Sequence, residues 1–201
     1  MLDPLLPLTG MLWVAALTPG PNNLVVLRTA SRAGLRGALP AIVGIVLGGL
    51  LLLLLTALGT TTVFIAQPSL RWWIGTIGAS YLGWLGTSLL AGSLRPAPAH
   101  ATSGAGALPA GLPGLIGFQF LNPKSWVMVL TALASVPATG WRGYLPLAAL
   151  FTVIPATCLL LWAALGTLLS RALARPRVRR RVDAGMGALL IASAGLLLIE
   201  H

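Results

Sequence analysis

Two long uncharged runs most restrict what this chain can become: LGGLLLLLLTALG at residues 47–59 and GALLIASAGLLLIE at 187–200, the latter uncharged until its final residue. Runs of this kind predict bilayer-spanning helices, because lipid leaves every backbone N–H and C=O to be satisfied inside the segment itself. Composition removes the soluble alternative. Only 8% of the 201 residues are charged and 57% are hydrophobic, with mean hydropathy +0.91, whereas a water-soluble domain carries roughly 25% charged residues. The expected fold class is therefore an all-α integral membrane protein.

Six spans are expected, at about residues 5–27, 39–66, 70–92, 112–136, 144–170 and 182–199. The first residues, MLDPLLPL, carry an acid where a cleavable signal would carry positive charge, so the first run reads as a retained span. The net charge is +10. In a soluble protein that excess would suggest nucleic acid, but these arginines flank hydrophobic runs, so no nucleic-acid partner is expected.

Their distribution predicts orientation. The first connection holds Arg28, Arg32 and Arg36, the third holds Arg95, and the fifth holds six arginines from Arg171 to Arg181. The second and fourth connections hold one each, Arg71 and Arg142. Cytoplasmic loops collect Lys and Arg. Odd-numbered connections are thus expected in the cytoplasm, both termini outside, and the protein in the cytoplasmic (inner) membrane.

The stretch TPGPNN, residues 18–23, places helix breakers inside the first hydrophobic run. Pro19 and Pro21 lack an N–H and disfavour helix in the residues before them. Gly20 permits the turn, and Pro21 with Asn22 can open a second half-helix. A similar interruption, FQFLNPKSWVMVL at 118–130, lies in the fourth run, where Asn122 can cap a helix that begins at Pro123. The Pro, Ala and Gly-rich stretch between the runs divides the chain into a first three-helix half at 1–92, a cytoplasmic linker at 93–111 and a second half at 112–201. Three spans per half make the halves antiparallel across the membrane, the inverted-repeat plan of many secondary transporters. Each break then falls in the opening span of its half.

Broken backbone at membrane depth survives only where protein or a water-filled cavity surrounds it. Two facing breaks are therefore expected to line one central site, although simple proline kinks would satisfy the same residues. A half-helix start suits a carboxylate, and the freed carbonyls of the preceding helix end suit an ammonium group. Lys124 sits mid-span, where a charge costs roughly 2.5–3.5 kcal/mol on insertion scales and usually serves a pore, a partner or a substrate; a shifted span would instead let it snorkel. The expected substrate-binding set is Pro19, Gly20, Pro21, Asn22 and Asn23 from the first break, with Gln119, Asn122, Pro123, Lys124 and Ser125 from the second. Thr56 and Thr152 are further candidate liners.

Asp183, beside RRR, is expected to pair with those arginines or with the start of the sixth helix. Tryptophans 72, 73, 84, 126 and 141 read as interface anchors. Small residues at four-residue spacing (Gly44 and Gly48; Gly75, Ala79 and Gly83; Ala184, Ala188 and Ala192) predict close helix packing, within the chain or across a homodimer. A single cysteine, Cys158, and two isolated histidines offer no metal set, cofactor site or catalytic triad, so neither an enzyme nor a bound cofactor is expected.

The segments TPGPNNLVVLRTASRAGLRGALPAIVGIVLG and GFQFLNPKSWVMVL resemble two signatures of the lysine-exporter (LysE/RhtB) family of amino-acid exporters. WWIGTIGASYLGWLGTSLLAG is similar to that family's third span and LLSRALARPRVRRRVDAGMGALLIASAGLLL to its last. The resemblance implies a secondary transporter that exports amino acids or related small metabolites by alternating access, with proton or membrane-potential coupling. It implies roles for Pro19–Asn23 and for Asn122–Lys124. Many members carry an acid where this chain has Gly49, and its loss argues against proton antiport and against a cationic substrate. Cation or metal efflux and a non-transporting membrane subunit are the competing readings.

Overall fold

The computed structural model describes residues 5–60, 68–94, 111–135 and 140–199, all but a few of them in helices and none in a strand. In chain order the helices are α1 (Leu5–Leu17), α2 (Pro21–Leu55), α3 (Pro68–Leu94), α4 (Gly111–Leu121), α5 (Pro123–Ser135), the short α6 (Gly140–Gly143), α7 (Leu145–Leu168), the short α8 (Ser170–Leu173) and α9 (Pro176–Ile199). A π-helical turn, Thr56–Thr60, follows α2. Helix stops at Leu17 and resumes at Pro21, and it stops at Leu121 and resumes at Pro123.

Three apolar clusters hold these helices together. Leu8 and Leu12 of α1 pack with Leu52 of α2, Val129 of α5 and Phe151 of α7. Val26, Ala38 and Ile42 of α2 meet Leu115 of α4 and Ala163 of α7. Leu24 of α2 joins Leu82 and Leu85 of α3 and Leu190 of α9.

Beside this apolar core a few amides are buried, and many large aliphatic side chains are exposed. Asn23, Gln119 and Asn122 are at most 4% exposed, while Val14, Leu58 and Leu168 are at least 70% exposed. Amides inside and aliphatic side chains outside is the arrangement that a hydrocarbon solvent selects. Pro21–Gly59 and Leu145–Leu168 are also each long and apolar enough to cross a bilayer.

The first connection departs from expectation. Helix continues up to and resumes directly after Gly34, where the chain turns, its φ of 70° lying in the left-handed region that favours glycine. The last helix likewise starts at Pro176, so most of the arginine cluster is helical. Asp183 therefore lies well inside α9, and its partner is Arg28 of α2, not the neighbouring arginines.

Close packing also uses other glycines than the spacing suggests. Gly44 and Gly48 do face a neighbour: a Cβ on Gly48 would lie 2.6 Å from Gln119 Cγ and 2.8 Å from the Ile116 carbonyl oxygen of α4. The α3–α9 crossing is made by Gly86 and Gly187. A Cβ on either would lie within 2.8 Å of the other's carbonyl oxygen. Of the spaced residues, Ala79 is buried in the cluster shared by α3 and α9, whereas Gly83 has open space beside it and Ala188 and Ala192 are exposed. Trp72, Trp73 and Trp84 are exposed, as expected of interface anchors. The linker at 95–110 and the surroundings of Arg71, Gly75 and Trp141 fall outside what is described.

Candidate functional site

Both interruptions are built from the residues that cause them. In the first, Gly20 is the N-cap of α2, in extended conformation, and Pro21 occupies the first helical position. Glycine has no side chain to accept from the first turn, so this helix start is left without a side-chain cap. Thr18, at the end of α1, directs its carbonyl toward the break, where Asn23 Nδ2 donates to it at 2.8 Å and to the Ala16 carbonyl at 3.2 Å. Asn23 thus ties the start of α2 to the end of α1.

The second interruption is tighter. Asn122 caps α5, its Oδ1 accepting from the Lys124 backbone N–H at 3.2 Å, and Pro123 again takes the first helical position. Trp126 Nε1 donates to the Phe120 carbonyl at 2.8 Å and Ser125 Oγ to Gln119 Oε1 at 2.9 Å, so both reach back across the gap. Trp126 is thereby a half-buried clasp of the break.

The two breaks meet. Asn22 and Gln119 exchange a reciprocal pair of amide hydrogen bonds, at 3.0 and 3.1 Å. Lys124 Nζ crosses in the other direction and donates to the Thr18 carbonyl at 2.7 Å. Between them lies a cavity of about 60 Å³, room for a handful of water molecules.

Of the ten residues expected at a site, eight line this cavity: Gly20, Pro21, Asn22 and Asn23 from the first break and Gln119, Asn122, Lys124 and Ser125 from the second. Pro19 and Pro123 do not. Pro19 is exposed, whereas Pro123 is buried as the first residue of α5. Thr56 and Thr152 bond to backbone carbonyls of their own helices, Leu52 and Ala148, and lie away from it.

Electrostatically the cavity holds one cation, Lys124, beside the uncapped start of α2. Anionic groups are favoured at a helix start by its unpaired N–H groups and partial positive charge. A Cβ on Gly20 would stand 3.4 Å from Lys124 Nζ, so the absence of a side chain keeps the ammonium close to that helix start.

Over residues 13–201 the chain matches the LysE-type translocator family. It belongs to that family. It is similar to the cysteine/O-acetylserine efflux protein of Klebsiella pneumoniae, 30% identical over 93% of each chain. It also resembles the protein of that name from Salmonella choleraesuis, 32% identical over 79% of this chain and 80% of the other. An uncharacterised membrane protein of Pseudomonas aeruginosa is 40% identical over 43% of this chain and 39% of its own length. No solved structure matches. Family membership makes this translocator an integral membrane protein and not an enzyme, in keeping with its many exposed aliphatic side chains.

The rest of the translocator's cavity is lined by residues that the sequence does not single out, on the same helices and on α7. Ile45, Val46 and Gly49 of α2 supply one wall, and Met128, Phe151 and Leu159 contribute an apolar side. Pro155, inside α7, also lines it. A proline within an otherwise continuous apolar helix was the available signal, because it frees a backbone carbonyl one turn earlier.

Proposed function

We propose that this protein is a secondary exporter of small neutral amino acids, working by alternating access around the paired breaks. The crossing of Asn22 to Gln119 and of Lys124 to Thr18 carries the reading, since it joins the two interruptions into one polar site. The substrate carboxylate is held between Lys124 Nζ and the uncapped N–H groups at the start of α2. It draws the ammonium off the Thr18 carbonyl, which then accepts from the substrate's own ammonium group. The apolar side formed by Met128, Phe151 and Leu159 receives a short side chain. Cysteine and O-acetylserine, for which the relatives are named, are neutral amino acids of this kind.

The inverted repeat of two three-helix halves, 1–92 and 112–201, belongs to the same reading. Gly86 and Gly187, in the last helix of each half, approach each other reciprocally, as contacts near a pseudo-twofold axis do. In this reading α1 with the first turns of α2 forms one interrupted span and α4 with α5 another. Cation efflux is disfavoured, because the fixed charge in the cavity is an ammonium. Gly49 lines the cavity without contributing a carboxylate, which agrees with a substrate lacking a side-chain positive charge.

The test is efflux of labelled amino acids from loaded vesicles, comparing wild type with Asn22→Ala and Lys124→Gln at matched expression. Wild type is expected to move neutral amino acids, and Lys124→Gln to lose at least about tenfold of that rate, since a charge-assisted hydrogen bond contributes roughly 1.5–3 kcal/mol. Preserved transport in both variants refutes the site. Wild-type efflux of lysine but not of neutral amino acids refutes the substrate class.

A further inference from the structure

A second cavity, about 180 Å³, lies away from the breaks, where α2 meets α8 and α9. Arg28, Arg32 and Arg179 line it together with Asp183, a net of two positive charges. Arg28 and Asp183 are tied to each other, and their side chains are only 13% and 15% exposed. The guanidinium groups of Arg32 and Arg179 make no ion pair among the described residues. Ser31 and Ser170 add hydroxyls to the lining, and Leu27, Leu173 and Val182 give it an apolar side.

Unpaired guanidinium groups at the edge of an apolar pocket suit one chemistry: a planar fork that grips phosphate oxygens, with hydrocarbon beside it. The Arg28–Asp183 pair contributes by fixing α2 against α9, so that Arg32 and Arg179 face one space. From this arrangement we infer that the cavity is a binding site for a phosphate ester, of the kind carried by an anionic phospholipid headgroup or by a soluble phosphate. The volume, room for on the order of a dozen waters, accommodates a phosphate with its ester oxygens. Basic pockets between membrane helices on the cytoplasmic side take lipid headgroups for the same reason. This inference stands independently of the export reading, because no cavity residue is shared between the two sites.

Native mass spectrometry of the purified full-length protein, with phosphatidylglycerol or phosphate-free diacylglycerol added to the micelles, tests it directly. Wild type is expected to bind phosphatidylglycerol in preference to diacylglycerol. Arg32→Gln/Arg179→Gln should weaken that binding by roughly tenfold or more, and Arg171→Gln, outside the cavity, should leave it unchanged. Thermal unfolding with inorganic phosphate separates the sources. If phosphate stabilises wild type and not the double variant, the site takes soluble anions; if only phosphatidylglycerol depends on the arginines, it takes headgroups. Should the double variant fail to fold, Arg32→Gln alone, at an exposed side chain, must reproduce the loss. Binding that survives removal of the arginines overturns the proposal, as does a wild type that neither prefers phosphatidylglycerol nor responds to phosphate.

Discussion

Gly20 shows how much one missing side chain decides. Its extended backbone is open to any residue, so what limits the side chain here is space alone. A Cβ would lie 3.4 Å from Lys124 Nζ and 3.7 Å from its Cδ, ordinary contact distances. Gly20→Ala is therefore expected to fold as wild type and to keep most of its efflux. Gly20→Val adds two methyl groups beside the ammonium and should cut efflux by about tenfold or more, as misplacement of a binding group by an ångström does. Equal transport by the two variants, measured in the vesicle assay, would detach Gly20 from the site. At this scale the sequence was informative, since eight of the ten expected residues line one cavity. Two residues at the breaks act through the backbone instead. Pro19 breaks the helix without facing the space it creates, because a proline's effect is on the backbone, and Trp126 serves the break, because an indole N–H satisfies a carbonyl that the break leaves unpaired.

Helices in this protein meet through backbone approach, and the spacing of small residues indicates this only in part. Gly44 and Gly48 pack on α4 as their pattern suggests, but in α3 the contact falls on Gly86, three residues from the patterned Gly83. Small residues at four-residue intervals lie on one helix face, and nothing in one chain's pattern states which face a neighbour takes. The contrast is measurable. Gly86→Ala forces a methyl group to within 2.8 Å of the Gly187 carbonyl oxygen. It should cost about 1–3 kcal/mol through overpacking, a fall in unfolding temperature of roughly 3–10 °C. Gly83→Ala points into open space and should be neutral or slightly stabilising, by up to about 1 kcal/mol of helix propensity. Equal melting temperatures for the two variants in detergent would contradict this crossing.

Across the whole molecule, charge placement bears on one question: which way the chain is oriented in the membrane. Ten of the thirteen Lys and Arg residues fall on odd-numbered connections, so both termini are proposed to face outward. With Cys158→Ala as background, His201→Cys is expected to react with a membrane-impermeant maleimide in intact cells. Ser103→Cys, in the linker, should react only after permeabilisation. The opposite pattern would invert the topology and, with it, the membrane face on which the arginine-lined cavity opens.

Sequence alone determined the solvent, the helical class, the presence of two interruptions and the residues that make them. Those features follow from hydropathy and from backbone chemistry that proline, glycine and asparagine carry wherever they stand. Tertiary structure decided what those residues meet. Lys124 reaches Thr18 across 106 positions of chain, Asn22 reaches Gln119 across 97, and Asp183 finds Arg28 across 155 in preference to the arginines beside it. No local pattern encodes such pairings. The contacts between the breaks arise because packing of α2 on α4 and of α1 on α5 brings the helix ends together, and a buried polar group must then bond whatever the fold places within reach.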